Sequence, residues 1–229
     1  MTISDILILG DGLLGSEIRT QTQWPYLSRK NNGFDFNNLY LYEDYLDPFQ
    51  TILNCIGYTN TYSKERELHW QTNYISVCYL TDYCRKHKKK LIHISSDYIY
   101  ANSDKPSSEN SVPVHAENWY SYTKLLGDAY VQGFSEDYLL IRTSFKPKPF
   151  PYEKALVNQV GNFDYVDKIS EIIIGLINEG KSGVYNVGTK RKTIYELAVK
   201  TNPDVEPWFG SIDDTMPYNI TMDLRKLNE

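Results

Sequence analysis

The sequence holds only three cysteines, Cys55, Cys78 and Cys84, and no Cys-x-x-Cys pair among them. An odd, scattered set suggests neither a disulfide framework nor a thiolate zinc site, and predicts reduced, buried thiols. The four histidines, His69, His87, His93 and His115, show no His-Glu-x-x-His or comparable spacing, so no metal is expected. No apolar run approaches the roughly 18 residues of a membrane span, and the first residues lead straight into a strand instead of a signal peptide. A cytoplasmic protein with no membrane partner is therefore expected. The formal net charge of −5 comes without a broad basic field, which argues against nucleic acid as a partner. The one cationic run, Arg85 to Lys90, precedes an apolar strand and reads as a helix end, where cations complement the dipole. Internal repeats and low-complexity tracts are also missing.

What is present is enough apolar material for a sizeable core: 229 residues, 41% hydrophobic. Short apolar runs alternate with helical patterns. Strands are predicted near 6–9, 25–28, 51–56, 91–95, 138–141 and 184–187. Helices are predicted over about 13–22, 39–46, 67–87, 119–134, 166–179 and 192–201, the last with Thr193 as N-cap. Such alternation implies an α/β fold with a doubly wound parallel sheet, whose ligands bind beyond the carboxyl ends of the strands.

The first strand runs into Gly10-Asp11-Gly12-Leu13-Leu14-Gly15. In a dinucleotide-binding turn the first glycine permits the bend, the second lets backbone approach a pyrophosphate, and the third packs helix on strand. Helix amides from Leu13 onward would face the phosphates. After the second strand comes Ser28-Arg29-Lys30, a hydroxyl and two cations that suit a 2′-phosphate, so NADPH is favoured over NADH; a merely solvated loop is the other reading.

Tyr120-Ser-Tyr-Thr-Lys124 places a phenol and an ammonium one helical turn apart, and Ser96 ends a predicted strand. A neighbouring ammonium is expected to depress the tyrosine pKa and fit it for proton transfer near neutrality. Ser96 would orient a carbonyl oxygen.

Together with Asn54-Cys-Ile-Gly57, Asn73, Ser95-Ser96-Asp97-Tyr98, Arg142-Thr143-Ser144 and Asn186-Val-Gly188, these motifs make most of the chain resemble the extended short-chain dehydrogenase/reductases, in the dTDP-4-dehydrorhamnose reductase-like branch. The resemblance implies a Rossmann cofactor domain over 1–142 plus about 163–190, and a small, reduced substrate-binding region over 143–162 plus 191–229. It implies Ser96, Tyr120 and Lys124 as catalytic residues, with Asn73 helping to hold an active-site water and Lys124. It sets Asp35 and Phe36 along the adenine and Asn54, Cys55, Ile56, Gly57 and Tyr58 along the cofactor. Asp35 could as easily cap the following helix. Asp97, Tyr98, Tyr58, Phe145 and Lys154 fall at substrate positions, beside Ser96 and Tyr120.

The implied reaction is NADPH-dependent reduction of a nucleotide-linked 4-keto-6-deoxy sugar, in deoxysugar and cell-surface glycan biosynthesis. Bifunctional relatives resemble one another in a cysteine two residues beyond the catalytic hydroxyl; here that residue is Tyr98, which favours a reductase without epimerase activity. His115 is an alternative base. Lys146, Lys148, Lys154 and Arg225 are candidate diphosphate contacts, and Trp208 and Phe209 are candidates for nucleobase stacking or for core packing. Departures are a first turn one residue shorter than GxxGxxG, Phe145 where the branch has tryptophan, and the reduced substrate region. A non-catalytic NADP-binding regulatory subunit is the alternative, with an epimerase or dehydratase behind it. Pairing of relatives through the Tyr-x-x-x-Lys helix implies a possible homodimer.

Overall fold

The apolar runs become strands of one sheet because their side chains alternate between two covered faces. In a computed structural model that describes residues 5–111 and 118–229, β1 (Ile6–Leu9), β2 (Tyr26–Leu27), β3 (Thr51–Asn54), β4 (Lys90–Ile94) and β5 (Tyr138–Thr143) lie parallel. Leu7, Leu9, Ile52, Leu91 and Leu140 point to one face, and Ile8, Leu53, Ile92, Leu139 and Ile141 to the other.

Helices α1 (Leu13–Thr22), α2 (Arg29–Asn32) and α3 (Glu43–Leu46) fall early in the chain. The helix expected over 39–46 starts sooner, as a 3-10 segment Phe36–Tyr42 that hands over to α3. Asp35 sets that start, its carboxylate accepting from the Asn37 N–H at 3.2 Å. Next, α4 (Arg66–Trp70), a π turn (Gln71–Ile75) and α5 (Ser76–Lys86) form one continuous helix, followed by α6 (Trp119–Phe134). Val77, Leu80 and Cys84 of α5 and Val131 of α6 cover the first face.

The chain then makes four short strands, β6 (Phe145–Lys146), β7 (Lys154–Leu156), β8 (Val160–Gly161) and β9 (Asp164–Tyr165). Helix α7 (Val166–Asn178) follows and packs Ile169 and Ile173 with Ile18 of α1 over the second face; β10 (Gly183–Val187) completes the main sheet. Its order is β10-β5-β4-β3-β1-β2. The order in which strands are added reverses between β1 and β3, and that is where a doubly wound sheet opens a crevice.

The remaining elements, β11 (Lys192–Thr193), α8 (Ile194–Ala198), β12 (Glu206–Trp208) and β13 (Asn219–Ile220), pair with β7 and β8 around a separate small core of Phe150, Leu156, Phe163, Leu197 and Ile220. Thr193 does cap α8, in a reciprocal capping box with Glu196. Lys192 is strand rather than helix, because its ammonium is tied to Asp164 Oδ2 and the Phe163 carbonyl, each at 3.0 Å. All three cysteines are free, but only Cys84 is buried; Cys55 and Cys78 are half-buried. Among the described residues no helix is long and apolar enough to cross a membrane, and no group of His, Cys, Asp and Glu could hold a metal. His115 lies outside the described residues.

Candidate active site

At the β1/β3 switch point the strand ends open onto a cleft of two joined cavities, about 360 and 270 Å³, which share Gly12, Cys55, Ile56 and Gly57. The glycine turn builds their common edge. Gly10 has φ of +100°, a left-handed conformation that suits glycine. A Cβ on Gly15 would lie 2.1 Å from the Gly10 carbonyl oxygen, so helix and turn touch backbone to backbone. Gly12 has open space around it and caps α1 with no side chain over its N-terminus, which leaves the first amides facing the cleft.

The smaller cavity is lined by Gly10, Asp11, Ser28, Arg29 and Phe36, and also by Phe34, which the sequence reading passed over. Ser28 is buried; its hydroxyl accepts from the Asn31 backbone and side chain, both at 3.2 Å. Asn31 also donates to Asp11 Oδ2 at 2.9 Å, tying the glycine turn to α2. Arg29 is 81% exposed at the rim, 3.7 Å from Asp35. Lys30 is exposed and outside the lining, and Asp35 serves as helix cap instead of cavity wall. Asn54 also turns away: it is fully buried, bonded to the Ile56 N–H at 3.0 Å and to His93 Nδ1 at 3.1 Å. Cys55, Ile56, Gly57 and Tyr58 do line the cavity.

The larger cavity gathers Leu13, Leu14, Ser96, Tyr120, Lys124 and Phe145 around one space. Ser96 ends the β4 strand-to-turn segment and hydrogen-bonds the Tyr120 side chain. Asn118 N-caps α6 through the Ser121 N–H at 2.9 Å, which fixes where Tyr120 and Lys124 emerge. The Lys124 ammonium donates to the Ile94 carbonyl at 2.8 Å and is 3% exposed.

The expected depression of the Tyr120 pKa is absent. Burial pushes its phenol up to about 12, with the Asp97 charge adding to the rise, and the Ser96 hydrogen bond only partly offsets this. Burial drives Lys124 down to about 8. The reason is desolvation: a closed site penalises both charged forms more than one turn of helix can repay.

Asn73 sits in the π turn, but its amide does not reach for Lys124. Its Oδ1 accepts from the Tyr58 N–H at 2.8 Å and its Nδ2 donates to the Tyr58 carbonyl at 3.1 Å. Both residues nevertheless flank Gly57, where a Cβ would lie 3.3 Å from Asn73 Oδ1 and 4.0 Å from Lys124 Nζ.

Tyr98 is held by Tyr62 and by Gln159 Nε2, each at 3.1 Å, and its ring lies edge-on to Tyr120 at 6.1 Å. Neither Tyr62 nor Gln159 bore a sequence signal; each is brought in by long-range packing. Of the four cations considered for a diphosphate, only Lys146 lines the cavity. Lys154 pairs with Glu206 at 3.5 Å outside it, Lys148 is paired with Asp167, and Arg225 with Asp223 at 2.6 Å. Trp208 packs on the small core, while Phe209 is 78% exposed.

A parallel sheet of this order, with a glycine turn and a serine–tyrosine–lysine group gathered at its switch point, defines the class of short-chain dehydrogenase/reductase folds. Residues 4–146 match the family model described as RmlD substrate binding domain, and the chain belongs to that family. A dTDP-4-dehydrorhamnose reductase from Bacillus anthracis str. Ames, solved with NADP, is similar at a TM-score of 0.85 and 20% identity, covering 97% of this chain and 91% of that one. MoeE5, solved with UDP-glucose and NAD, is similar at a TM-score of 0.82 and 17% identity, covering 98% and 91%. The dTDP-D-glucose 4,6-dehydratase of Bos taurus is 24% identical over 160 residues, 55% of this chain. The chain spans only 45% of that relative's length.

Proposed function

We propose that the chain is a cytoplasmic, nicotinamide-dependent reductase of a nucleotide-linked 4-keto-6-deoxy sugar, with NADPH the preferred cofactor. The observation that carries this reading is the convergence of Ser96, Tyr120 and Lys124 on one cavity that is continuous with the glycine turn. The open N-terminus of α1, the lack of a Cβ at Gly12 and the Arg29 rim fit a dinucleotide 2′-phosphate and pyrophosphate. When bound, the nicotinamide supplies the hydride.

This chain's residues do the rest. Tyr120 donates its proton to the oxygen that becomes the alcohol, and Ser96 holds that oxygen with a second hydrogen bond. A phenol at about 12 keeps its proton until that oxygen becomes strongly basic. Lys124 offers its ammonium to the nicotinamide ribose from the floor of the cleft. Tyr98 is a poor base for epimerisation, since burial and the Tyr62 hydroxyl push its pKa well above 10. A homodimer belongs to the same proposal, because Leu68, Ile75, Tyr79 and Phe134 are exposed along α4, the π turn, α5 and α6.

The test is NADPH consumption with a panel of dTDP- and UDP-4-keto-6-deoxy sugars, each with and without a separate 3,5-epimerase, comparing wild type with Tyr120→Phe. The expected result is turnover on pre-epimerised substrate, reduced at least about a hundredfold by the substitution. Tight NADPH binding with no turnover on any sugar would point to the regulatory alternative.

A further inference from the structure

Two tyrosines that follow strands of the main sheet, Tyr62 in the loop after β3 and Tyr98 in the turn after β4, pack their rings against the small core of Phe163, Leu197 and Ile220. Their hydroxyls meet at 3.1 Å. Gln159, buried just before β8, donates to the Tyr98 hydroxyl at 3.1 Å and to the Pro217 carbonyl at 2.8 Å. A phenol offers one donor and two acceptor sites, so Tyr98 commits two of its three to the protein itself. The loop after β3, the turn after β4, the approach to β8 and the approach to β13 are thereby gathered around one hydroxyl.

Several of these segments are cavity wall. Tyr98 lines the larger cavity with its ring edge-on to Tyr120 at 6.1 Å, and Thr59 and Thr61, beside Tyr62, line it too. The loop after β3 is braced internally: the Tyr58 hydroxyl donates to Glu65 at 2.5 Å and the Ser63 N–H to the Asn60 carbonyl at 2.9 Å. The segment before β13 is folded on itself as well, with the Met216 N–H on the Asp213 carbonyl at 3.0 Å. Its Thr215 carbonyl accepts from Asn118 Nδ2 at 3.5 Å, and Asn118 is the N-cap that fixes where Tyr120 and Lys124 emerge. Two preformed loops are therefore tied to each other through Tyr98 and Gln159, and one of them to α6.

We propose that Tyr62 and Gln159 are positioning residues that act through Tyr98, holding the sugar end of the larger cavity in register with Tyr120. This rests on the nucleotide-sugar reductase reading. Neither side chain lines either cavity, so neither acts by touching the ligand. A wall ordered before the ligand arrives spares binding the cost of ordering it. Cutting either tie therefore weakens the sugar nucleotide and leaves the dinucleotide, which sits against the glycine turn, almost unaffected.

The experiment pairs hydrogen exchange with calorimetry on wild type, Tyr62→Phe, Gln159→Met, Tyr98→Phe and the double variant Tyr62→Phe with Tyr98→Phe, substitutions that keep the packed rings and chain length. Exchange reads the coupling between the two loops. Gln159→Met should speed exchange of peptides containing Ser63, and Tyr62→Phe of peptides containing Met216, each about threefold to tenfold although the change lies in the other segment. Calorimetry reads the ligands. A dTDP-6-deoxyhexose should bind the NADP-saturated single variants about threefold to tenfold more weakly than wild type, with NADP affinity itself within about twofold. Tyr62→Phe should add less than about twofold to Tyr98→Phe, because its partner hydroxyl is already gone. Exchange that quickens only in the substituted segment, equal losses of sugar and NADP affinity, full additivity in the double variant, or undiminished sugar affinity would each overturn the proposal. Failure of the reductase reading looks different: the coupled exchange and the affinity split stand while no 4-keto sugar is turned over.

Discussion

Gly127 of α6 lies so close to the π turn that a Cβ on it would stand 2.6 Å from the Asn73 carbonyl oxygen. The two helices therefore cross backbone to backbone at this point. On one side of the crossing the Asn73 amide clamps Tyr58, and on the other Lys124 sits one turn before Gly127 on α6. The irregular helix turn and the candidate lysine thus flank one close contact.

Gly127→Ala should consequently do more than loosen the packing. Separating α6 from the π turn is expected to cost about 1–3 kcal/mol, the usual range for an overpacked interior. It should also shift Lys124 and the Gly57–Tyr58 loop together. Urea unfolding with NADPH titration on the same samples measures both. Loss of stability with unchanged cofactor affinity would disconnect the crossing from the site.

Lys124 is expected to work against stability. Burial lowers its pKa from 10.5 to about 8. Below pH 8 the folded and unfolded chains both hold the proton, and the fold bears the whole cost of an ammonium removed from water. Between 8 and 10.5 the folded chain releases its proton first and the cost fades; above 10.5 it is gone. The shift corresponds to about 3 kcal/mol, less about 1 for the bond to the Ile94 carbonyl. Lys124→Met should thus gain about 2 kcal/mol at pH 7 while activity disappears, with the gain absent near pH 11. Denaturation midpoints of the two proteins across that range decide it; a gain that persists at high pH would assign it to packing instead.

The contrast between Lys124 and Asn73 shows what a sequence reveals. Tyr120 and Lys124 could be placed together because helical spacing is local, and the parallel sheet followed from apolar runs alternating with helices. The consequence drawn for the Tyr120 pKa failed because desolvation depends on what covers the site, which spacing does not encode. The π turn left no trace, since Asn73 is turned by its bonds to Tyr58, fifteen residues earlier in the chain. Strands of two or three residues such as β8 and β11 are too short to show a period, which is why Lys192 read as helix. Asn31, Tyr62 and Gln159 are ordinary residues until the fold brings them to Asp11 and Tyr98.

Asp128, one turn beyond Lys124, joins α6 to the end of β5 through Arg142, at 3.0 Å and with both side chains buried. Arg142 also donates to the Tyr100 hydroxyl and to the Glu109 carbonyl. Asp128→Ala leaves a guanidinium buried without its carboxylate and should cost about 3–5 kcal/mol, whereas Asp128→Ala with Arg142→Leu should cost clearly less than the sum of the two. Urea unfolding of the four proteins gives the coupling directly, and simple additivity would refute it. Because the Asp128 charge raises the Lys124 pKa, Asp128→Asn should also lower that pKa, so that the ammonium proposed to hold the nicotinamide ribose is lost at a lower pH.

Under the proposed function, a preference for NADPH would turn on Arg29. Its side chain is exposed at the rim of the smaller cavity, where among the described residues its ion-pair approach is to Asp35 at 3.7 Å, and its exposure lets it swing onto a 2′-phosphate. Lys30, the second cation of the same loop, is exposed away from that lining. Arg29→Ala should weaken NADPH about tenfold to a hundredfold and leave NADH nearly unchanged, because the lost contact is to a group that NADH does not carry. Lys30→Ala should alter neither by more than about twofold. Affinities for both dinucleotides, measured at two salt concentrations, separate a direct phosphate contact from a general field: the Arg29 effect should remain specific to NADPH at high salt, while a Lys30 effect should be screened. Equal loss of both cofactors in Arg29→Ala would mean that the residue supports the α2 turn, and the preference for NADPH would then have to come from elsewhere.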